Sequence, residues 1–342
     1  MASNKSVLVL GANGGIGGEV ARQLRDAGWD VRALQRRTAQ PVEQPDGISR
    51  IRGITWFRGD ALNAQDVMAA AEGCSVIVHA VNPPGYRNWS TLVLPMLDNS
   101  IAAACAHGST LVFPGTVYNF GPDALPMLTE ASPQNPVTRK GAIRVEMERR
   151  LFAASKNGAR VLIVRAGDYF GPKAGNNWFA QGLVKPGKPV RAVSNPGRRG
   201  VGHQWSYLPD VAGTMVELLA RPESLEPFAT FHMAGHWDAD GSQMAESIRR
   251  VVKRRTGRAP RIAGFPWWLV PLVSPFNTTF RELLEMRYLW REPVQMDNAR
   301  LTSVLGREPH TPLDEAVEAT LVGLGCLAAP SGAGAAPSRS IA

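Results

Sequence analysis

An α/β fold with a doubly wound parallel sheet and a smaller, mostly helical C-terminal lobe is predicted, and three observations predict it. Apolar runs alternate with helical patterns through the first half of the 342 residues. That alternation places parallel strands between helices on both faces. A glycine cluster, Gly11, Gly14 and Gly17, separates the first strand-like run from the first helical one. After Gly171-Pro172 the alternation loosens into Gly-, Pro- and Arg-rich chain, which marks a change of architecture.

In chain order, Val7–Leu10 reads as a buried strand and Gly15–Ala27 as a helix. Strands are expected at Asp30–Leu34, Ile54–Arg58, Ser75–Ala80, Thr110–Phe113 and Arg160–Arg165, with helices near Ala64–Glu72, Thr91–Ala106 and Val137–Lys156. Residues 173–204 read as loop. Asp210–Ala220 is an expected helix, Phe228–Met233 a returning strand, residues 240–256 an amphipathic helix and Asp314–Leu324 the last helix. The organisation expected is a dinucleotide-binding Rossmann domain from 1–172 and 201–235, a substrate lobe from 173–200 and 236–327, and a disordered tail over 328–342, where Ala, Gly, Ser and Pro dominate.

Hydrophobic residues make up 44% and charged residues 20%, as in an ordinary soluble domain. No apolar run reaches the ~18 residues of a membrane span, and no membrane partner is expected. The 3 cysteines are scattered, which suggests a reducing, cytoplasmic setting and no metal site. The net charge of +9 favours anionic ligands, and a dinucleotide phosphate suffices for that. The basic residues are dispersed without interleaved aromatics, so no nucleic-acid partner is expected. A small-molecule substrate is, and a homodimer is one assembly open to the chain.

The glycine cluster carries the first chemistry. One glycine permits a tight turn, one lets backbone approach a pyrophosphate, and one lets helix and strand pack closely. Gly11, Asn13, Gly14, Gly15, Ile16 and Gly17 are therefore expected to cradle the cofactor phosphates at a helix N-terminus. An NAD site usually carries an acid at the end of the second strand. Here the chain continues Gln35-Arg36-Arg37. Arg36 and Arg37 suit a 2′-phosphate, so NADP(H) is preferred, with NAD(H) as the alternative.

With these motifs the chain resembles the short-chain dehydrogenase/reductase superfamily in its extended or atypical branch. Gly59-Asp60, Ile77-Val78-His79-Ala80, Thr116-Val117-Tyr118, Thr129-Glu130 with Pro136, Arg165 with Tyr169-Phe170-Gly171-Pro172, Tyr207-Leu208-Pro209-Asp210-Val211-Ala212 and Leu305-Gly306 with Pro309 carry the resemblance in order. It implies cofactor contacts at Asp60, Ala61, Ala80, Val81 and Asn82. It implies a substrate-orienting hydroxyl at Thr116, with Tyr118 and Tyr169 as further donors. The superfamily's Tyr-x-x-x-Lys pair is replaced: aligned on Pro136 and Gly141, its positions hold Lys140 and Arg144. Residues four apart share a helix face. Arg144 can still hold the nicotinamide ribose, and Lys140 is the expected general acid/base in place of tyrosine. Tyr86 and Trp89, after the fourth strand, are expected to line the substrate pocket. His203 lies where relatives supply cations to a substrate diphosphate. The implied activity is an NAD(P)-dependent oxidoreductase or epimerase-like enzyme on a carbonyl or alcohol substrate, of which a nucleotide sugar is one candidate. The alternative is a non-catalytic dinucleotide sensor of the same fold.

Overall fold

A computed structural model describes residues 5–36, 48–83, 88–174, 177–275 and 284–329. Arg37, Tyr86 and residues 330–342 of the expected tail lie outside the described residues.

The strands of the large sheet are β1 (Ser6–Leu10), β2 (Asp30–Gln35), β3 (Ile48–Ile51), β4 (Ile54–Arg58), β5 (Val76–His79) and β6 (Thr110–Thr116). After the short β7 (Met127–Leu128) they continue with β8 (Arg160–Ala166) and, beyond β9 (Asp168–Phe170), β10 (Ala192–Asn195) and β11 (His203–Tyr207), with β12 (Phe228–His232). Their order is β12-β8-β6-β5-β1-β2-β4-β3. Every pairing is parallel except β3 against β4. The order reverses at β1, between β2 and β5, and the cleft at that reversal is where open α/β sheets bind ligands. β1 and β5 are buried along their whole length, and β8 from Val161 onward, because helices cover both faces.

Helices α1 (Gly15–Asp26) and α5 (Leu208–Leu219) cover one face. α2 (Ala64–Ala71), α3 (Trp89–His107) and α4 (Arg139–Lys156) cover the other. Asn63 caps α2 by accepting from the amides of Gln65 and Asp66. α3 ends at Gly108 in the left-handed region.

A separate aromatic core holds the C-terminal lobe together, with Phe170, Phe179, Trp178, Trp205 and Trp290 in mutual contact. The expected 173–204 loop is more ordered than its composition suggests. Phe179–Leu183 forms a π turn, and β10 pairs in parallel with β14 (Arg261–Gly264). Val193 and Phe179 are sunk in the aromatic core. Tertiary burial, which local composition does not encode, orders this stretch. β13 (His236–Asp238) joins β11 and β9, while β15 (Gln295–Met296) pairs with β7. Helix α6 (Gln243–Thr256) begins three residues later than expected because the Asp238 carboxylate accepts from the amides of Gln243 and Met244 and so sets its first turn.

Candidate active site

The glycine loop folds where sterics demand glycine. Gly11 has φ +90°, and a Cβ there would lie 2.5 Å from the Ala80 carbonyl oxygen. A Cβ on Gly17 would lie 2.4 Å from the Gly11 oxygen. The loop therefore nests against the end of β5 and delivers the α1 N-terminus to the C-terminal ends of the central strands. α1 has no side-chain cap and no acid in its first turn, which leaves its amides and dipole for an anion.

Beside the loop lies a cavity of about 620 Å³, lined by Gly11, Asn13, Gln35, Arg36, Asp60 and Asn82 among others. Ala61 and Val81 also line it. Of the expected cofactor residues, Gly11, Asn13, Arg36, Asp60, Ala61, Val81 and Asn82 thus meet at the ends of β1, β2, β4 and β5, whereas Gly14, Gly15, Ile16, Gly17, Ala80 and Arg144 do not line this cavity. Gln35 completes the set, and the sequence reading passed over it. It is buried, its side-chain oxygen accepts from Asn13 Nδ2 at 3.1 Å, and its Nε2 has no partner among the described residues. Its signal was available: it is the last residue of β2, where an NAD site carries its acid. A glycine cradle that a Cβ would fill, a helix N-terminus and an unpaired amide donor at the ribose end all fit a dinucleotide.

The second half of the site is the junction of β6 with α4. Thr116 ends β6, and its Oγ1 accepts from the Tyr118 amide. Thr138 caps α4 by accepting from the Gly141 amide at 2.9 Å. A Cβ on Gly141 would lie 2.3 Å from the Tyr118 carbonyl oxygen, so only glycine lets α4 sit this close to the turn. Lys140, adjacent to that contact, is buried. The carboxylate of Glu285 accepts from the Arg139 amide and closes the helix start from the lobe side. One turn on, the Arg144 guanidinium lies 5.6 Å from the centre of the Trp89 ring and 5.4 Å from that of Phe113. Its Nε is buried without a partner among the described residues.

His79, at the end of β5, is a further member. Its Nδ1 is 2.7 Å from Ser100 Oγ, which itself donates to the Met96 carbonyl. Nδ1 therefore carries the proton and Nε2 presents a lone pair, buried and unpartnered among the described residues. Burial first, and then the Arg144 charge, push the imidazole down to about 3, so the ring is neutral.

The expected substrate residues are distributed differently. Trp89 is buried, and its indole N–H donates to Asn82 Oδ1 at 2.5 Å, so it braces the cavity rim. The Tyr169 hydroxyl donates to the Gly115 carbonyl at 2.7 Å, and burial raises its phenol. His203 is turned inward. Its Nε2 lies 2.9 Å from Asp168, its Nδ1 lies 3.2 Å from the Leu289 carbonyl, and its ring stacks on Trp290 at 3.8 Å. Both nitrogens are therefore committed to the protein. The other Asp168 oxygen accepts from the Tyr118 hydroxyl at 3.1 Å. Asp168 thus ties the β6 turn to the lobe.

A mostly parallel sheet with a glycine cradle at its reversal point defines a dinucleotide-binding protein of the Rossmann type. The chain belongs to the NAD dependent epimerase/dehydratase family, whose model matches residues 7–234, and with that comes a nicotinamide dinucleotide as cofactor. No curated protein matches it in sequence. Among solved structures it is similar to MoeE5 in complex with UDP-glucuronic acid and NAD, at 19% identity, TM-score 0.65, covering 93% of this chain and 98% of that one. It is similar to WbmH of Bordetella bronchiseptica in complex with NAD+ at 16% identity, TM-score 0.66, covering 93% and 97%. It is also similar to UDP-glucose 4-epimerase of Thermotoga maritima with UDP-glucose at 15% identity, TM-score 0.68, covering 92% and 97%. At these identities the likeness is one of fold. Among the described residues no helix is long and apolar enough to cross a membrane.

Proposed function

We propose that the chain is an NADP(H)-dependent oxidoreductase or epimerase-like enzyme acting at a carbinol or carbonyl carbon, a nucleotide sugar being one substrate class. The observation that carries this reading is the buried Lys140, which directly precedes the Gly141 contact with the Tyr118 carbonyl and lies one helical turn from Arg144. When bound, the nicotinamide accepts or returns a hydride at C4. The chain's own groups do the rest. Gly11, Gly14, Gly15, Ile16 and Gly17 hold the pyrophosphate through backbone amides. Gln35 and Arg36 face the adenosine ribose, and the absence of an acid there is what supports NADP(H). Arg144 orients the nicotinamide ribose with fixed donors. Thr116 orients the substrate oxygen, and Lys140 gives or takes the proton of that oxygen as hydride moves.

The test is Lys140→Met. Dinucleotide binding is expected to stay within about threefold while turnover falls by about a hundredfold or more, the usual contribution of a positioned acid/base. Full turnover in Lys140→Met would overturn the assignment. Tight dinucleotide binding by the native chain with no turnover on a broad panel of alcohols, ketones and nucleotide sugars would favour a sensor.

A further inference from the structure

The segment after β14 is anomalous for a soluble enzyme. No charged residue occurs between Arg261 and Arg281. Within it the chain alternates sharply between inside and outside. Trp267 turns inward, its indole N–H donating to the Pro196 carbonyl at 2.9 Å and the Arg287 guanidinium lying over its ring. Trp268, the next residue, is 74% exposed. Val270 is fully buried and pins the short helix Val270–Val273, which leaves Leu269 and Leu272 outside, Leu272 at 65% exposure. Pro266 and Pro271 are also exposed. Trp267 and Val270 anchor the segment with these side chains on the outside. Single exposed apolar residues are common, but a contiguous apolar step around a tryptophan marks an interaction site.

The charged side chains around the step are mostly basic. Phe265 donates its amide to the Asn195 carbonyl, so the step runs directly beside the loop that carries Arg198 and Arg199. At the other end of the β10–β14 ribbon the Arg261 amide donates to the Arg191 carbonyl, and Arg258 precedes it. These five arginines are exposed, and none makes an ion pair among the described residues. Between ribbon and loop lies a depression of about 480 Å³, lined by Asn195, Arg199, Asp240, Ser242 and Gly264 among others. The one carboxylate there, Asp240, already accepts from the Ser242 amide and hydroxyl.

We infer that this face docks on a bilayer surface carrying anionic phospholipid. Trp268, Leu269 and Leu272 would enter the interfacial layer while the arginines meet the headgroup phosphates. Tryptophan favours that boundary, and arginines flanking an apolar step are the charge complement of an anionic leaflet. Among the described residues no helix is long and apolar enough to cross a membrane, and a contact of this interfacial kind needs none. The inference is independent of the proposed chemistry, because none of its residues lines the dinucleotide cavity.

The experiment is sedimentation of the full chain with phosphatidylcholine vesicles, with and without phosphatidylglycerol, at low and high salt. Enrichment on the anionic vesicles of about tenfold or more, reduced by salt, is expected. Trp268→Ser with Leu272→Ser should abolish it while NADPH titration is unchanged, which shows the variant folded. Arg258→Ala with Arg261→Ala should remove only the anionic-lipid increment. No vesicle binding by the native chain, or binding that the Trp268 and Leu272 changes leave intact, would overturn the inference. Concentration-dependent self-association that the same serine pair abolishes, without vesicle binding, would overturn it too and assign the face to a second copy.

Discussion

The Asn13 side-chain amide donates to the Gln35 side-chain oxygen at 3.1 Å, joining the glycine loop to the end of β2 across the cofactor cavity. That bond fixes the orientation of the Gln35 amide and leaves its Nε2 buried without a partner among the described residues. Arg36 lines the same cavity. A hydrogen bond to a charged group contributes about 1.5–3 kcal/mol. Arg36→Ala is therefore expected to weaken NADPH by about tenfold to a hundredfold and to leave NADH nearly unchanged. Gln35→Asp should reverse the preference, because a carboxylate repels a 2′-phosphate and accepts from a ribose hydroxyl. Fluorescence titration with both nucleotides reads this. Equal losses for NADPH and NADH in Arg36→Ala would remove the arginine from cofactor selection.

The helix that carries Lys140 is fastened to the sheet by a buried ion pair. Arg165 Nε lies 3.0 Å from Glu148 Oε1 and Nη2 lies 2.5 Å from Oε2. Gln134 donates to the same carboxylate, and His232 Nε2 accepts from Arg165 Nη1 at 2.9 Å. Both charged side chains are nearly inaccessible. Removing one partner of such a pair costs about 3–5 kcal/mol, because the other stays buried and uncompensated. Glu148→Ala should lower urea-denaturation stability by that amount, and Glu148→Leu with Arg165→Met should recover most of it. A loss below about 1 kcal/mol in Glu148→Ala would mean that solvent already reaches the pair.

The nucleotide half of this architecture was legible because its signals are local. The strand, the glycine spacing and the helix start lie within twenty residues, and each glycine answers a steric demand of its neighbours. The lobe was less legible because its order is tertiary. Nothing near Val193 announces that β10 will pair with β14, some seventy residues on. His203 read as a cation facing the substrate, yet its partner Asp168 is 35 residues away and Trp290 covers its ring. Gln35 was missed for a different reason. The acid of an NAD site is a charge that a sequence displays, whereas the residue in its place here is neutral and carries only an amide.

Three buried histidines make the protein sensitive to mild acid. Burial pushes His79 and His232 down to about 3, with Arg144 and Arg165 respectively adding repulsion, and pushes His236 down to about 4 beside His310. In the unfolded chain each titrates near 6.5. Above that value neither state binds the proton and the histidines leave stability unchanged. Below it the unfolded chain takes up protons that the folded chain refuses, so stability falls as pH drops from about 6.5 toward 4. Each histidine contributes a slope of about 1.4 kcal/mol per pH unit once its unfolded form is protonated. Asp210 and Asp238, which burial raises, work in the opposite sense, so the test is a difference between two chains. Urea denaturation of the native chain and of His79→Asn across this range should give slopes near pH 5 that differ by about 1.4 kcal/mol per unit, the variant being flatter. The offset between the curves at neutral pH reads the lost packing and the lost bond to Ser100. Parallel curves would mean that His79 already carries a proton when folded, and the neutral lone pair assigned to its Nε2 would then not exist.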